Sequence, residues 1–189
     1  MTDASPATLT RRHWIGALVV LGALAFSAWL RTPGFTQGGF ASHDVAGILY
    51  NAMVLHDGGL PYVDTREFKA PGSFYLATVF AGDDGTDIAS FQIWANLAAL
   101  LAALSVAVAG WRNFGPLAGA VAVGVYVLHD AHLDSMDANY VTWANLAQVL
   151  AGAWGLEAAS RRTGGRAKLL AWLVCGALCG VAALLKRPN

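Results

Sequence analysis

Between Ser42 and Tyr75 the chain reads SHDVAGILYNAMVLHDGGLPYVDTREFKAPGSFY, which brings together the carboxylates of Asp44, Asp57, Asp64 and Glu67, the imidazoles of His43 and His56, and the cations of Arg66 and Lys69. A second group follows at His129, Asp130, His132, Asp134 and Asp137, and a cationic third at Lys186 and Arg187. A carboxylate can take the proton of a hydroxyl, and a lysine or arginine can hold an anion while charge develops on it. If the three segments meet, they could bind an anionic lipid headgroup beside a general base. Each also has a plainer reading: acids that solvate a loop, histidines at a wet helix end, and Lys186 with Arg187 as interfacial anchors that snorkel.

The elements that must position these groups are membrane-grade. Of the 189 residues, 56% are hydrophobic and 13% charged, with a mean hydropathy of +0.49, whereas a soluble domain carries roughly 25% charged residues. Twelve basic and twelve acidic residues cancel, which leaves no electrostatic basis for binding nucleic acid. Cys175 and Cys179 lie four apart in an apolar run, a poor geometry for a disulfide and a set too small for a metal, so they read as packing residues.

Five apolar runs predict five membrane helices, at Trp14–Leu30, Ile88–Trp111, Pro116 to about His132, Tyr140 to about Ala159 and Leu169–Leu185. The first has a competing reading as a signal peptide, since Arg11 and Arg12 precede it and Ala-Phe-Ser-Ala lies near its end. Gln92 and Asn96 share a helix face and should point into the bundle, as should Asn145 and Gln148; Gly176 and Gly180 have the spacing that lets helices approach closely. Residues 31–87 form a polar insert within a single module, 1–189. In the insert, Ser42 is an N-cap ahead of Val45, Ile48, Leu49, Ala52 and Leu55 at helical spacing, and Gly58-Gly59 ends that helix. Pro71 starts a second helix too short to span. The fold class is therefore all-α: a polytopic bundle whose first loop carries short interfacial helices.

Loop charges orient the bundle. With the N-terminus cytoplasmic, that side holds Arg11, Arg12, Arg112, Arg161, Arg162, Arg166 and Lys168, and ten of the twelve acids fall outside, together with Lys186 and Arg187. The insert and the His129–Asp137 loop then share the external or periplasmic face of a bacterial-type inner membrane.

His43-Asp44, Tyr50, Gly58-Gly59-Leu60-Pro61-Tyr62, Asp64, Glu67 and Lys69-Ala70-Pro71-Gly72-Ser73-Phe74-Tyr75 resemble, in order and spacing, the first external loop of the GT-C membrane glycosyltransferases. The branch they are most similar to contains protein O-mannosyltransferases, the aminoarabinose transferase of lipid A and the rhizobial-type lipopolysaccharide-core sugar transferases. The terminal Leu-Lys-Arg-Pro resembles that family's lysine motif, and the likeness covers roughly residues 14–189.

The resemblance implies an inverting transfer of sugar from a polyprenyl-phosphate donor to a glycan, lipid or protein hydroxyl at the external face. It maps the catalytic base onto Asp44 and a second acid onto Asp137, with Asp134 close by. Lys186 would meet the lipid phosphate, helped by Lys69 and Arg66, while His43 and Tyr62 complete the substrate side. No cofactor is fixed by it; a divalent metal would find ligands in Asp44 with His43 or in His129, Asp130 and His132. Val45 stands where relatives have a second carboxylate, and Ala70 replaces a proline. Relatives continue through further membrane helices, so the chain reads as an N-terminal portion of such an enzyme. The alternative is a non-catalytic membrane protein that binds polyprenyl-linked lipid or a partner subunit.

Overall fold

The computed structural model describes residues 6–36, 42–66, 69–132, 137–160 and 165–186. The described residues form eight helices: α1 (Pro6–Leu30), α2 (Thr32–Thr36), α3 (His43–His56), α4 (Gly72–Phe80), α5 (Ile88–Phe114), α6 (Pro116–His132), α7 (Tyr140–Ser160) and α8 (Arg166–Leu185). Among the described residues there is no strand, and the protein is all-α. Local signals set several boundaries. The Ser42 Oγ accepts the Val45 N–H at 3.3 Å and starts α3, and the Asp87 carboxylate accepts the Ser90 N–H at 2.9 Å to start α5. Gly115, with φ of 96°, ends α5, and Pro116 opens α6.

The long helices pack in the order α1, α6, α5, α7, α8, with α5 in the middle. Directions alternate along the chain, so the packed neighbours α1 and α6 run parallel, as do α5 and α7. At one end the His13 ring meets Trp111, centroids 6.1 Å apart, and Arg112 lies 3.8 Å from Glu157. At the other end Arg31, just past α1, reaches Asn96 near the start of α5 and Asp130 near the end of α6. Three segments, Arg11–Leu30, Ile88–Phe114 and Arg166–Leu185, are long and apolar enough to cross a membrane. The shorter α6 and the more polar α7 complete the bundle between them.

Packing is through small side chains. The buried face of α5 is Ala95, Ala98, Ala99, Ala102, Ala103 and Ala107, while Leu97, Leu101, Leu104 and Val108 point outward. Hydrocarbon solvates leucine as well as a protein interior does, so helices in it gain most from close backbone approach over alanine and glycine. Gly176 and Gly180 do not serve this purpose, contrary to the expectation from their spacing: nothing lies within 4 Å of a Cβ built on either. The α7–α8 contact uses the other side of α8, where Cys175 packs on Gly155 and Ala171 is buried. Cys179 is exposed, and Gln148 too faces outward.

The insert caps one end of this bundle. Val45, Ile48, Leu49 and Ala52 of α3 and Phe74 and Ala77 of α4 join Phe91 and Ala95 of α5, Trp143 and Ala147 of α7, and Ala182 and Leu185 of α8 in one core. Trp143 anchors it, stacked between Phe80 at 5.2 Å and Phe91 at 5.6 Å. Burying such side chains contributes about 1.5–3 kcal/mol each, so α3 and α4 are built into the bundle rather than laid loosely on it.

Candidate functional site

Asp44 occupies the first turn of α3, where the helix dipole favours a carboxylate. Because Val45 and Ile48 take the buried face, Asp44 falls at its margin with 41% of its side chain exposed. Its Oδ1 accepts a hydrogen bond and ion pair from the Lys69 Nζ. Among the described residues its second oxygen carries no hydrogen bond. The same ammonium lies 5.5 Å from the centroid of the Tyr140 ring, a cation–π contact with the first residue of α7. Two segments of the insert and the start of α7 thus meet at one lysine.

The loop that delivers Lys69 is tied back to α3. Tyr62 has a φ of 72°, a left-handed conformation uncommon for a residue with a Cβ. Its O–H donates to the Lys69 carbonyl at 2.6 Å, its N–H donates to Thr65 Oγ1 at 3.3 Å, and its ring contacts Phe74. The Thr65 hydroxyl in turn donates to Asn51 Oδ1 at 2.6 Å, and both residues are buried. A circuit of side chains therefore runs from α3 through Asn51, Thr65, Tyr62 and Lys69 and returns to α3 at Asp44. Asp64 closes its own turn by accepting the Leu60 N–H at 2.7 Å.

The other expected residues divide. Asp137 lies three residues before Tyr140 and is half-buried; its carboxylate accepts the Asn139 N–H at 3.3 Å and its carbonyl accepts the Thr142 hydroxyl at 2.8 Å. Buried Gln92 fixes this turn by accepting the Ala138 N–H at 2.9 Å. Lys186 ends α8 at the same end of the bundle and, among the described residues, has no ion pair. His43 and Arg66 are exposed, and among the described residues neither makes a hydrogen bond or ion pair to Asp44. Glu67, Asp134 and Arg187 lie outside the described residues.

Asp130, read from sequence as an acid on the insert's side or a metal ligand beside His129 and His132, does lie at the insert's end of the bundle, but it is 6% exposed and paired with Arg31, itself 1% exposed. Arg31 also donates to Asn96 Oδ1 at 3.0 Å. Successive residues on a helix point about 100° apart, so with Asp130 turned inward His129 is exposed, as is His132. The described residues hold no group of three His, Cys, Asp or Glu side chains placed to share an ion. The clue lay in the helix itself: a carboxylate in an apolar segment calls for a named cationic partner.

Fold and composition together define an all-α membrane protein with a polar, charge-paired cap at one end. No protein-family model, curated protein or solved structure matches the chain.

Proposed function

We propose that this protein is a module of a membrane glycosyltransferase of GT-C type, moving a sugar from a polyprenyl-phosphate donor to an acceptor hydroxyl. The observation that supports the reading is the meeting of Lys69, Asp44 and Tyr140 at the end of the bundle where α8 also delivers Lys186. In this scheme the acceptor oxygen attacks the anomeric carbon and its proton passes to the Asp44 carboxylate. The bond from the anomeric carbon to the phosphate oxygen breaks, and polyprenyl phosphate leaves with the electron pair. Lys69 and Lys186 are the cations at hand for that phosphate, and an ammonium beside it offsets the charge that the leaving group gains. The chain would cross a cytoplasmic membrane five times, with its N-terminus in the cytoplasm and residues 31–87 outside. The test is Asp44→Asn in membranes supplied with a polyprenyl-phosphate sugar. Transfer should vanish while insertion persists; unchanged transfer would remove Asp44 as the base.

A second reading has its own observation. Asp44 is already neutralised by Lys69, whereas Lys186 has no ion pair among the described residues. A protein that binds polyprenyl-linked lipid without chemistry, or passes it to a partner subunit, would need only the cation. The wild type would then transfer nothing, and Lys186→Ala would weaken lipid binding.

A further inference from the structure

A groove of about 350 Å³ runs between α5 and α7, not beside Asp44 but toward the opposite end of the bundle. Its walls include Leu101, Leu104, Val108, Leu150 and Trp154. The polar groups along it are spent on their own helix: the Ser105 hydroxyl donates to the Leu101 carbonyl at 2.7 Å and the Asn113 amide to the Ala109 carbonyl at 2.9 Å. The groove is therefore apolar along its length. At its mouth stands Arg112, 67% exposed and 3.8 Å from Glu157, a separation and exposure at which an ion pair contributes little.

Length and charge select the occupant. From Leu101 to Arg112 the groove follows α5 for roughly 16 Å at ~1.5 Å per residue, about half of a ~30 Å hydrocarbon core. That is the depth of one leaflet, too short to seat a membrane-crossing helix. Its wall α5 is one of the helices apolar enough to cross a membrane, so lipid chains are its natural surroundings. The mouth lies at the end of the bundle that also carries Arg11, Arg12, Arg166 and Lys168, against the single described acid Glu157. A guanidinium matches phosphate oxygens in a two-pronged geometry and can leave a loose carboxylate partner for them.

We propose that the groove between α5 and α7 binds an anionic phospholipid from the leaflet at this basic end, one acyl chain lying along α5 and the phosphate on Arg112. The site stands apart from the transfer reaction and requires none of its residues.

Fluorescence quenching in bilayers tests this with the full chain. The protein has seven tryptophans, so the signal of Trp154 is taken as the difference between wild type and Trp154→Phe. Bilayers of phosphatidylcholine would carry increasing fractions of either brominated phosphatidylglycerol or brominated phosphatidylcholine. The Trp154 signal should be half-quenched at an about fivefold lower fraction of the anionic lipid, the factor that one basic residue near an anionic surface contributes. Arg112→Gln should bring the two curves together, and Arg112→Lys should keep part of the gap. Coincident curves in the wild type would overturn the proposal. So would a preference that survives Arg112→Gln, which would mark general enrichment around the basic end, and so would a Trp154 shielded from both lipids, which would mean that protein fills the groove.

Discussion

The ammonium of Lys69 rests on the carboxylate of Asp44, closing a loop of 25 residues that leaves α3 and returns to its first turn. The pair is partly exposed, so its worth to the fold is small, about 1 kcal/mol or less. Asp44→Asn and Lys69→Ala should each lower the thermal midpoint in detergent only slightly, and a double-mutant cycle should give a coupling no larger than that. This matters for function, because a loss of sugar transfer in Asp44→Asn then cannot be assigned to unfolding. A collapse of the folded fraction in either variant would show the pair to be structural.

Tyr62→Phe removes one oxygen and its hydrogen bond to the Lys69 carbonyl. The cost expected is about 1 kcal/mol, concentrated in the loop that carries Lys69. Hydrogen exchange should quicken at Tyr62, Val63 and Asp64 while α5 stays protected. Unchanged exchange there would mean that the left-handed turn is held without the Tyr62 hydroxyl.

The Arg31–Asp130 pair predicts the opposite pattern from Lys69–Asp44. Both partners are buried, and removing one leaves a charge in an apolar bundle, which costs about 3–5 kcal/mol. Arg31→Met and Asp130→Leu should each destabilise strongly, and the double variant should recover most of the loss. Resistance to denaturation in mixed micelles measures this; two mild single variants would contradict the burial.

Glycine substitutions separate packing from pattern. A Cβ on Gly72 would come within 2.6 Å of the Leu184 carbonyl oxygen, a backbone atom that cannot swing aside. Gly72→Ala should cost about 1–3 kcal/mol and loosen α4 from α8. Gly176→Ala meets open space and should be neutral or stabilising by up to about 1 kcal/mol. Equal losses in both would restore Gly176 to a helix interface.

Asp84, in the turn between α4 and α5, accepts hydrogen bonds from the Thr86 hydroxyl at 2.7 Å and the Thr86 N–H at 3.0 Å. These hold its carboxyl below the ordinary value of 3.8, the hydroxyl contributing most. A folded value below the unfolded one means that the turn is favoured above pH 3.8 and loses that support as pH falls through the depressed value. Thr86→Val should raise the Asp84 titration midpoint, read by carboxyl-carbon NMR. An unmoved midpoint would show that the hydroxyl bond does not carry the effect.

The sequence by itself determined the blocks: five apolar runs, the polar insert, and the helix starts at Ser42 and Pro116, because hydropathy and capping act within a few residues. It also placed Gln92 and Asn96 on one buried face, although the same reasoning failed for Gln148, which faces outward. Which apolar face packs and which meets lipid was decided only by the tertiary structure. In a bundle whose core and surroundings are both apolar, amphipathicity loses its information, so the alanine face of α5 and the idle Gly176 and Gly180 were not legible. Nor could spacing pair Arg31 with Asp130 across 99 residues, or carry Lys69 back to Asp44. Those contacts depend on which helix ends the bundle brings together, and ion pairing acts through distance in space rather than along the chain.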